Sequence, residues 1–349
     1  PPRGGRARRD PPRGGPARTH LQPRPRHPAG NASRAGRGAD RIRSRVQGVS
    51  AAVLLMAHGT PSSLDEMVPY LTAVRGGRPP SDGLVAEMRS NYAAIGGRSP
   101  LTDLTFRQRD ALQARLGPDV TVLAGMRNWH PYIRDVLATL QGTTVDRLLA
   151  IPLAPQFSTV SVCRYVDAAA TALPPGVALG FVESFHAHPL LLQAFAARIR
   201  EAGMPAEGEE VIFTAHSLPE RVIREGDPYA TQVAETAAGV AAAAGLRSYH
   251  LAFQSAGRTP EPWIGPDLSD AIRARAAAGA RAVLVVPIGF VCDHTEILFD
   301  VDVQAAGAAR EAGIALRRTA SLNDSPTFIS VLEDLVRQWQ TPAPHGGPR

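Results

Sequence analysis

The chain repeats itself, and that repetition limits its fold more than any other feature. VLLMAHGTP at 53–61 and VIFTAHSLP at 211–219 are both apolar runs ending in Ala-His, a small residue, one further position and Pro. A second pair, LLAIPLAPQFSTVSV at 148–162 and VLVVPIGFVCDHTEI at 283–297, each carries a Pro after four apolar residues and then a polar turn. Two similar units from a duplication explain both pairs.

Each unit contains four short apolar runs, separated by Ala-, Leu- and Arg-rich stretches of helical period. The runs are 51–58, 120–126, 148–154 and 177–184 in the first half, and 211–217, 249–255, 282–290 and 314–320 in the second. Alternation of this kind is the α/β signature. Near-continuous apolarity within a run means burial on both faces, hence parallel sheet covered by helices. The expected architecture is two Rossmann-like domains, 51–185 and 186–340, each a four-stranded parallel sheet flanked by helices. Ligands of such sheets bind beyond the carboxyl ends of the strands, and two of them side by side leave a cleft there.

Charge divides the chain differently. Its 38 basic side chains are all Arg; the first fifty residues hold 13 of them against Asp10 and Asp40, which leaves 25 Arg against 30 acids over 51–349. The body is mildly acidic, so the net charge of +6 belongs to an appendage. Residues 1–48 are Pro, Gly and Arg with almost nothing apolar and are expected to be disordered, as are 341–349. The Arg-rich stretch has no aromatic residue to stack on bases, so no nucleic-acid partner is expected. Pro and not Met stands first, and this stretch reads as GC-rich sequence upstream of the natural start or as a cloning remnant.

Two cysteines, Cys163 and Cys292, do not make a disulfide framework and fit a reducing compartment. No apolar run reaches the roughly 18 residues of a spanning helix, and no short apolar core of a secretory signal is present. The expectation is a cytoplasmic monomer with at most peripheral membrane contact. Neither GxGxxG nor GxxxxGK[ST] occurs, and GGRSPL at 96–101 lacks phosphate-loop spacing, so nucleotide binding is not indicated.

His58 and His216 fall at strand ends. A helix starting near Asp293, with Asp293 as a possible N-cap, would put Glu296, Asp300 and Gln304 on one face, four residues apart, with Ile297, Leu298 and Val301 on the buried side. A partly buried carboxylate row is costly unless it has a task. One imidazole and one carboxylate in a cleft suit transient metal binding or proton acceptance and fall short of a closed structural site. QSAGRTPEPWIGPDL at 254–268 reads as a rigid wall or capping loop.

Taken together and in order, HGTP, YAAIGGRSPL, APQFSTVSV, TAHSLPERV, QSAGRTPEPWIGPDL and VPIGFVCDHTEILFDVD resemble the ferrochelatases over about residues 52–340, closest to the soluble bacterial branch, part of which uses coproporphyrin III. The resemblance implies insertion of Fe²⁺ into coproporphyrin III or protoporphyrin IX for heme synthesis. His216 and Glu296 would be the catalytic pair on opposite sides of the metal's target position, with His58 facing the metal. Arg75 in AVRGGRPPS, Tyr92, Ser99, His186 and Trp263 would lie on the substrate side, Arg75 offering a fork to a propionate. Asp300 and Gln304 would continue a metal or proton path. Several positions depart from the family's frequent residue: His58 for Tyr, Asn91 for Arg, Gln156 for His, His186 for an aromatic and Gln304 for Glu. Some relatives hold a [2Fe–2S] cluster on four cysteines, and Cys163 matches one position; two cysteines cannot supply four ligands, so no cluster and no other resident cofactor is expected. A cobalt or nickel tetrapyrrole chelatase and a non-catalytic heme- or porphyrin-binding protein are the competing readings.

Overall fold

The computed structural model describes residues 48–257 and 259–341. The stretches 1–48 and 341–349 expected to be disordered therefore lie, but for Gly48 and Thr341, outside the described residues. The first half runs β1 (Ala51–Ala57), α1 (Met67–Val74), α2 (Asp82–Ala94), α3 (Leu101–Leu116), β2 (Val120–Met126), α4 (Ile133–Leu137), β3 (Arg147–Pro152), α5 (Val162–Ala172) and β4 (Ala178–Phe181). After α6 (Pro189–Ala202), the second half runs β5 (Glu209–His216), α7 (Glu220–Arg224), α8 (Tyr229–Ala244), β6 (His250–Gln254), α9 (Leu268–Ala277) and β7 (Ala282–Pro287). It ends with α10 (Thr295–Leu298), a π-helical turn (Asp300–Ala305), α11 (Ala306–Glu311), β8 (Ala315–Arg318) and α12 (Pro326–Gln340).

Each half contains one four-stranded parallel sheet, ordered β2-β1-β3-β4 and β6-β5-β7-β8. The repeat extends to register. Met56 pairs with Pro152, and their sequence counterparts Thr214 and Pro287 pair with each other. Slipping a strand by one residue would reverse its faces, so identical register in both sheets is strong structural support for the duplication. All seven residues of β1 and of β2 are buried, which is why these runs carry no polar alternation.

The halves are not separate packing units. Phe328, Ile329, Val331, Leu332, Leu335 and Val336 of α12 are buried in the same cluster as Leu101, Leu104 and Leu112 of α3. Arg115 of α3 donates to Ser330 at 2.7 Å and to the Pro326 carbonyl at 2.9 Å, and pairs with Glu333 at 3.2 Å. Trp339 lies against Gly180 of β4, where any Cβ would meet its indole nitrogen at 2.6 Å. Buried Gln156 joins the halves again, donating to the Thr236 hydroxyl and the Ile288 carbonyl, each at 3.1 Å.

Candidate active site

The second sheet brings three chain segments together at its carboxyl edge. β5 ends on His216, which pairs in register with Gln254, the last residue of β6. The chain leaving β7 turns into α10, so Glu296 in its first turn faces those two strand ends. Gln254 fixes the approach by donating its side-chain amide to the Glu296 carbonyl. The next residue, Ser255, sits at φ 60° and donates its hydroxyl to Asp300. A left-handed serine costs about 1–3 kcal/mol and persists only where its surroundings hold it.

The His216 Nε2 lies 3.7 Å from Glu296 Oε2. That is too long for a hydrogen bond, so the two groups face each other with neither spent on the other. On the other side of the ring, Nδ1 contacts the Ser217 carbonyl, which can only accept, so the proton of the neutral ring belongs on Nδ1. Nε2 then presents its lone pair to the cleft. His294 Nε2 stands 3.9 Å from the same Glu296 oxygen. Across from them, His58 follows β1, its Nδ1 3.1 Å from its neighbour's carbonyl and 3.4 Å from the Tyr70 hydroxyl.

The ionisation tendencies diverge. Burial alone would push the Glu296 carboxyl up, but His216, His294 and His58, with the Ser255 hydroxyl, together hold it below the usual range. Asp300 goes the other way: burial, and then the Glu296 charge, push it up to about 7 against the pull of Ser255. Burial and the neighbouring Arg127 guanidinium lower His58 to about 4, and burial also lowers His294. At neutral pH the site holds one firm anion, one carboxyl near half-protonation and two neutral imidazoles. Carboxylates driven apart in this way are suited to separate acid and base roles.

Not every residue expected at the site reaches this cluster. Asp293 is not an N-cap; His294 takes that position, and the Asp293 carboxylate accepts from Ser321 at 2.7 Å and Asn323 at 2.8 Å and pairs with Arg318 at 3.2 Å. Gln304 is exposed, because the helix opens into a π turn in which its amide bonds back five residues to Phe299. His186 is engaged on both ring nitrogens, by Ser184 and by Glu235, each at 2.7 Å. Ser99 is buried and accepts from the Leu101 N–H at 3.4 Å, at the start of α3. Tyr92, by contrast, does border the cluster: it is buried with Met67, Tyr70, Leu71 and Trp129, and its hydroxyl, raised by burial, lies beside those of Thr295, Thr60 and Tyr70 and within the field of Glu296. Arg75 is exposed at the end of α1. Trp263 lies close enough to Gly257 that a Cβ there would meet the indole at 2.4 Å. Its loop is tied to the segment after His216, with the Ile264 N–H on the Leu218 carbonyl and the Glu220 N–H on the Pro262 carbonyl, both 2.9 Å. His294, Ser255 and Gln254 join the cluster without a sequence signal of their own, although they lie within QSAGRTPEPWIGPDL and VPIGFVCDHTEILFDVD.

Among the described residues, no group of three or more His, Cys, Asp and Glu side chains is placed to cage an ion. The His216 and Glu296 side chains stand at strand ends, each about one-third exposed. The family model for ferrochelatase matches residues 50–340. The chain belongs to the ferrochelatase family. It is 41% identical over 297 residues to a ferrochelatase of Herpetosiphon aurantiacus, covering 82% of this chain and 97% of that one. A ferrochelatase of Thermus thermophilus is 41% identical over 310 residues, covering 81% and 98%. A coproporphyrin III ferrochelatase of Anoxybacillus flavithermus is 38% identical over 297 residues, covering 81% and 94%. The solved structure "SirB from Bacillus subtilis with Fe3+" shares the fold at a TM-score of 0.52 and 11% identity, covering 83% of this chain and 95% of that one.

Proposed function

We propose that the His216–Glu296 pair is where this ferrochelatase-family enzyme inserts Fe²⁺ into a porphyrin, two pyrrole protons leaving as the metal enters, as a step of heme synthesis. The apposition of the two groups at 3.7 Å, with neither spent on the other, is the observation that carries this reading. The Nε2 lone pair and the Glu296 carboxylate accept the pyrrole protons. Ser255, whose hydroxyl acts on both Glu296 and Asp300, links the acceptor to a carboxyl that titrates near neutrality and can pass the proton on. Neutral His58 faces the pair without adding a positive charge that would oppose an incoming Fe²⁺. The iron is substrate, and the two cysteines present no set of four ligands for a cluster.

The test is anaerobic mixing of pure protein with Fe²⁺ and porphyrin while following the porphyrin absorbance bands. Metal insertion is expected, and it should be lost in His216→Ala and Glu296→Gln. Turnover surviving both changes would reject the site. Comparing rates on coproporphyrin III, with four carboxylates, and protoporphyrin IX, with two, assigns the physiological substrate.

A further inference from the structure

Asp227 lies outside the cluster just described, yet it is tied to one of its members. It is buried, 7% exposed, in the loop before α8. One oxygen, Oδ2, accepts from the Ser158 hydroxyl at 3.0 Å, the Thr159 N–H at 2.7 Å and the Thr159 hydroxyl at 2.6 Å, all from the loop after β3 in the first half. The other, Oδ1, accepts the N–H of Tyr229 at 3.0 Å. Tyr229 is itself buried, and its hydroxyl donates to the His216 carbonyl at 3.0 Å. One carboxylate thus joins the first half's cleft-edge loop to the backbone of the imidazole in the second half.

The demand is for a carboxylate and not merely a polar side chain. Thr159 and Tyr229 each aim a backbone N–H at a different oxygen, and neither can be turned round to accept. A carboxamide of the same shape must point its NH₂ at one of them, whichever way it is flipped. Four donors on one buried group are also more than helix capping requires, since the Tyr229 N–H alone would satisfy that role.

We infer that Asp227 is a positioning residue for metal insertion, holding the His216 strand end, through Tyr229, at a fixed distance from the opposite wall of the cleft. This rests on the reading of His216 as a reacting group. Small misplacements of a reacting group cost far more in turnover than in binding, so the effect belongs in kcat. Asp227→Asn should lower kcat by about ten-fold or more while porphyrin KM stays within about three-fold, and Tyr229→Phe should lower kcat by a smaller factor with the same split. If both act through the same strand end, the double variant should lose no more than about two-fold beyond Asp227→Asn alone.

Wild-type kcat in Tyr229→Phe overturns the inference whatever Asp227→Asn does, including a failure of the latter to fold. A loss carried in KM overturns it as well, and so does a double variant in which the single losses multiply. A second readout needs no turnover. With ¹⁵N-histidine in the chain, the His216 ring resonances should move in Tyr229→Phe, and unmoved resonances overturn the inference. Absence of insertion by the wild type would instead sink the reading of His216, leaving the resonance shift to decide the positioning.

Discussion

Glu296 and Asp300 are carboxylates one helical turn apart that their surroundings drive in opposite directions, and this makes their removal distinguishable. Glu296→Gln keeps the shape and deletes the anion, so kcat for metal insertion should fall by about 10²–10⁴-fold, the range for losing a positioned proton acceptor. Stopped-flow absorbance under anaerobic conditions measures it. Asp300→Asn should show itself in stability. The native carboxyl is raised from 3.8 to about 7, so the folded state binds this proton more tightly than the unfolded chain does. Its contribution is therefore present in full below about 3.8 and is lost as pH rises through about 7. An amide imitates the protonated acid at every pH, so Asp300→Asn should raise the melting temperature more at pH 8 than at pH 5. Equal gains at both would mean the carboxyl is not held protonated. His216, Glu296 and Asp300 were legible as candidates because strand ends and a four-residue spacing mark them. His294 and Ser255 were not: a histidine beside an acid and a serine after a strand carry no signal until the fold supplies a left-handed turn and a neighbouring carboxylate.

The elements that carry these groups depend on close backbone approaches which the sequence does not announce. Gly289 follows β7 and lies against the end of β5. A Cβ at 289 would meet the Ala215 Cβ at 2.6 Å and its Cα at 2.8 Å, and neither is the flexible end of a side chain. Gly289→Ala must push β5 aside one residue before His216, so it should cost about 1–3 kcal/mol, the usual range for overpacking, and also slow turnover. Thermal melting and the absorbance assay check the two effects; a stable, fully active variant would show that the strand end shifts freely. The strands themselves were legible, all eight within a few residues, and for most of them the reason is burial that leaves an unbroken apolar run; the edge strands β4 and β8 depart from that expectation, being only half-buried, with Arg317 and Arg318 in β8. The end of the acidic stripe was not. Four-residue spacing presumes an α-helix throughout, but the chain between Asp300 and Ala305 is π-helical, and Gln304 is left exposed.

At the scale of the molecule, the sequence repeat is a better guide to the sheets than to what folds on its own. The two apolar sets and their shared register divide cleanly, yet α12, the last helix of the second set, packs on α3 and reaches β4 of the first sheet. Nothing in PTFISVLEDLVRQWQ reveals which sheet it will cover, because an amphipathic helix states only that one face needs a partner. Six large apolar side chains of α12 are buried, each worth about 1.5–3 kcal/mol. Together these match or exceed the about 5–15 kcal/mol by which a domain of ordinary size is stable. Ending the chain at Ser325 should therefore abolish the cooperative thermal transition of the whole protein, and a fragment confined to 51–185 should not fold alone, since α3 would expose the surface that α12 covers. Circular dichroism melting of both checks this. A sharp transition in the 51–185 fragment would mean that the first sheet closes its core without α12, and that the cleft lies between two independent bodies.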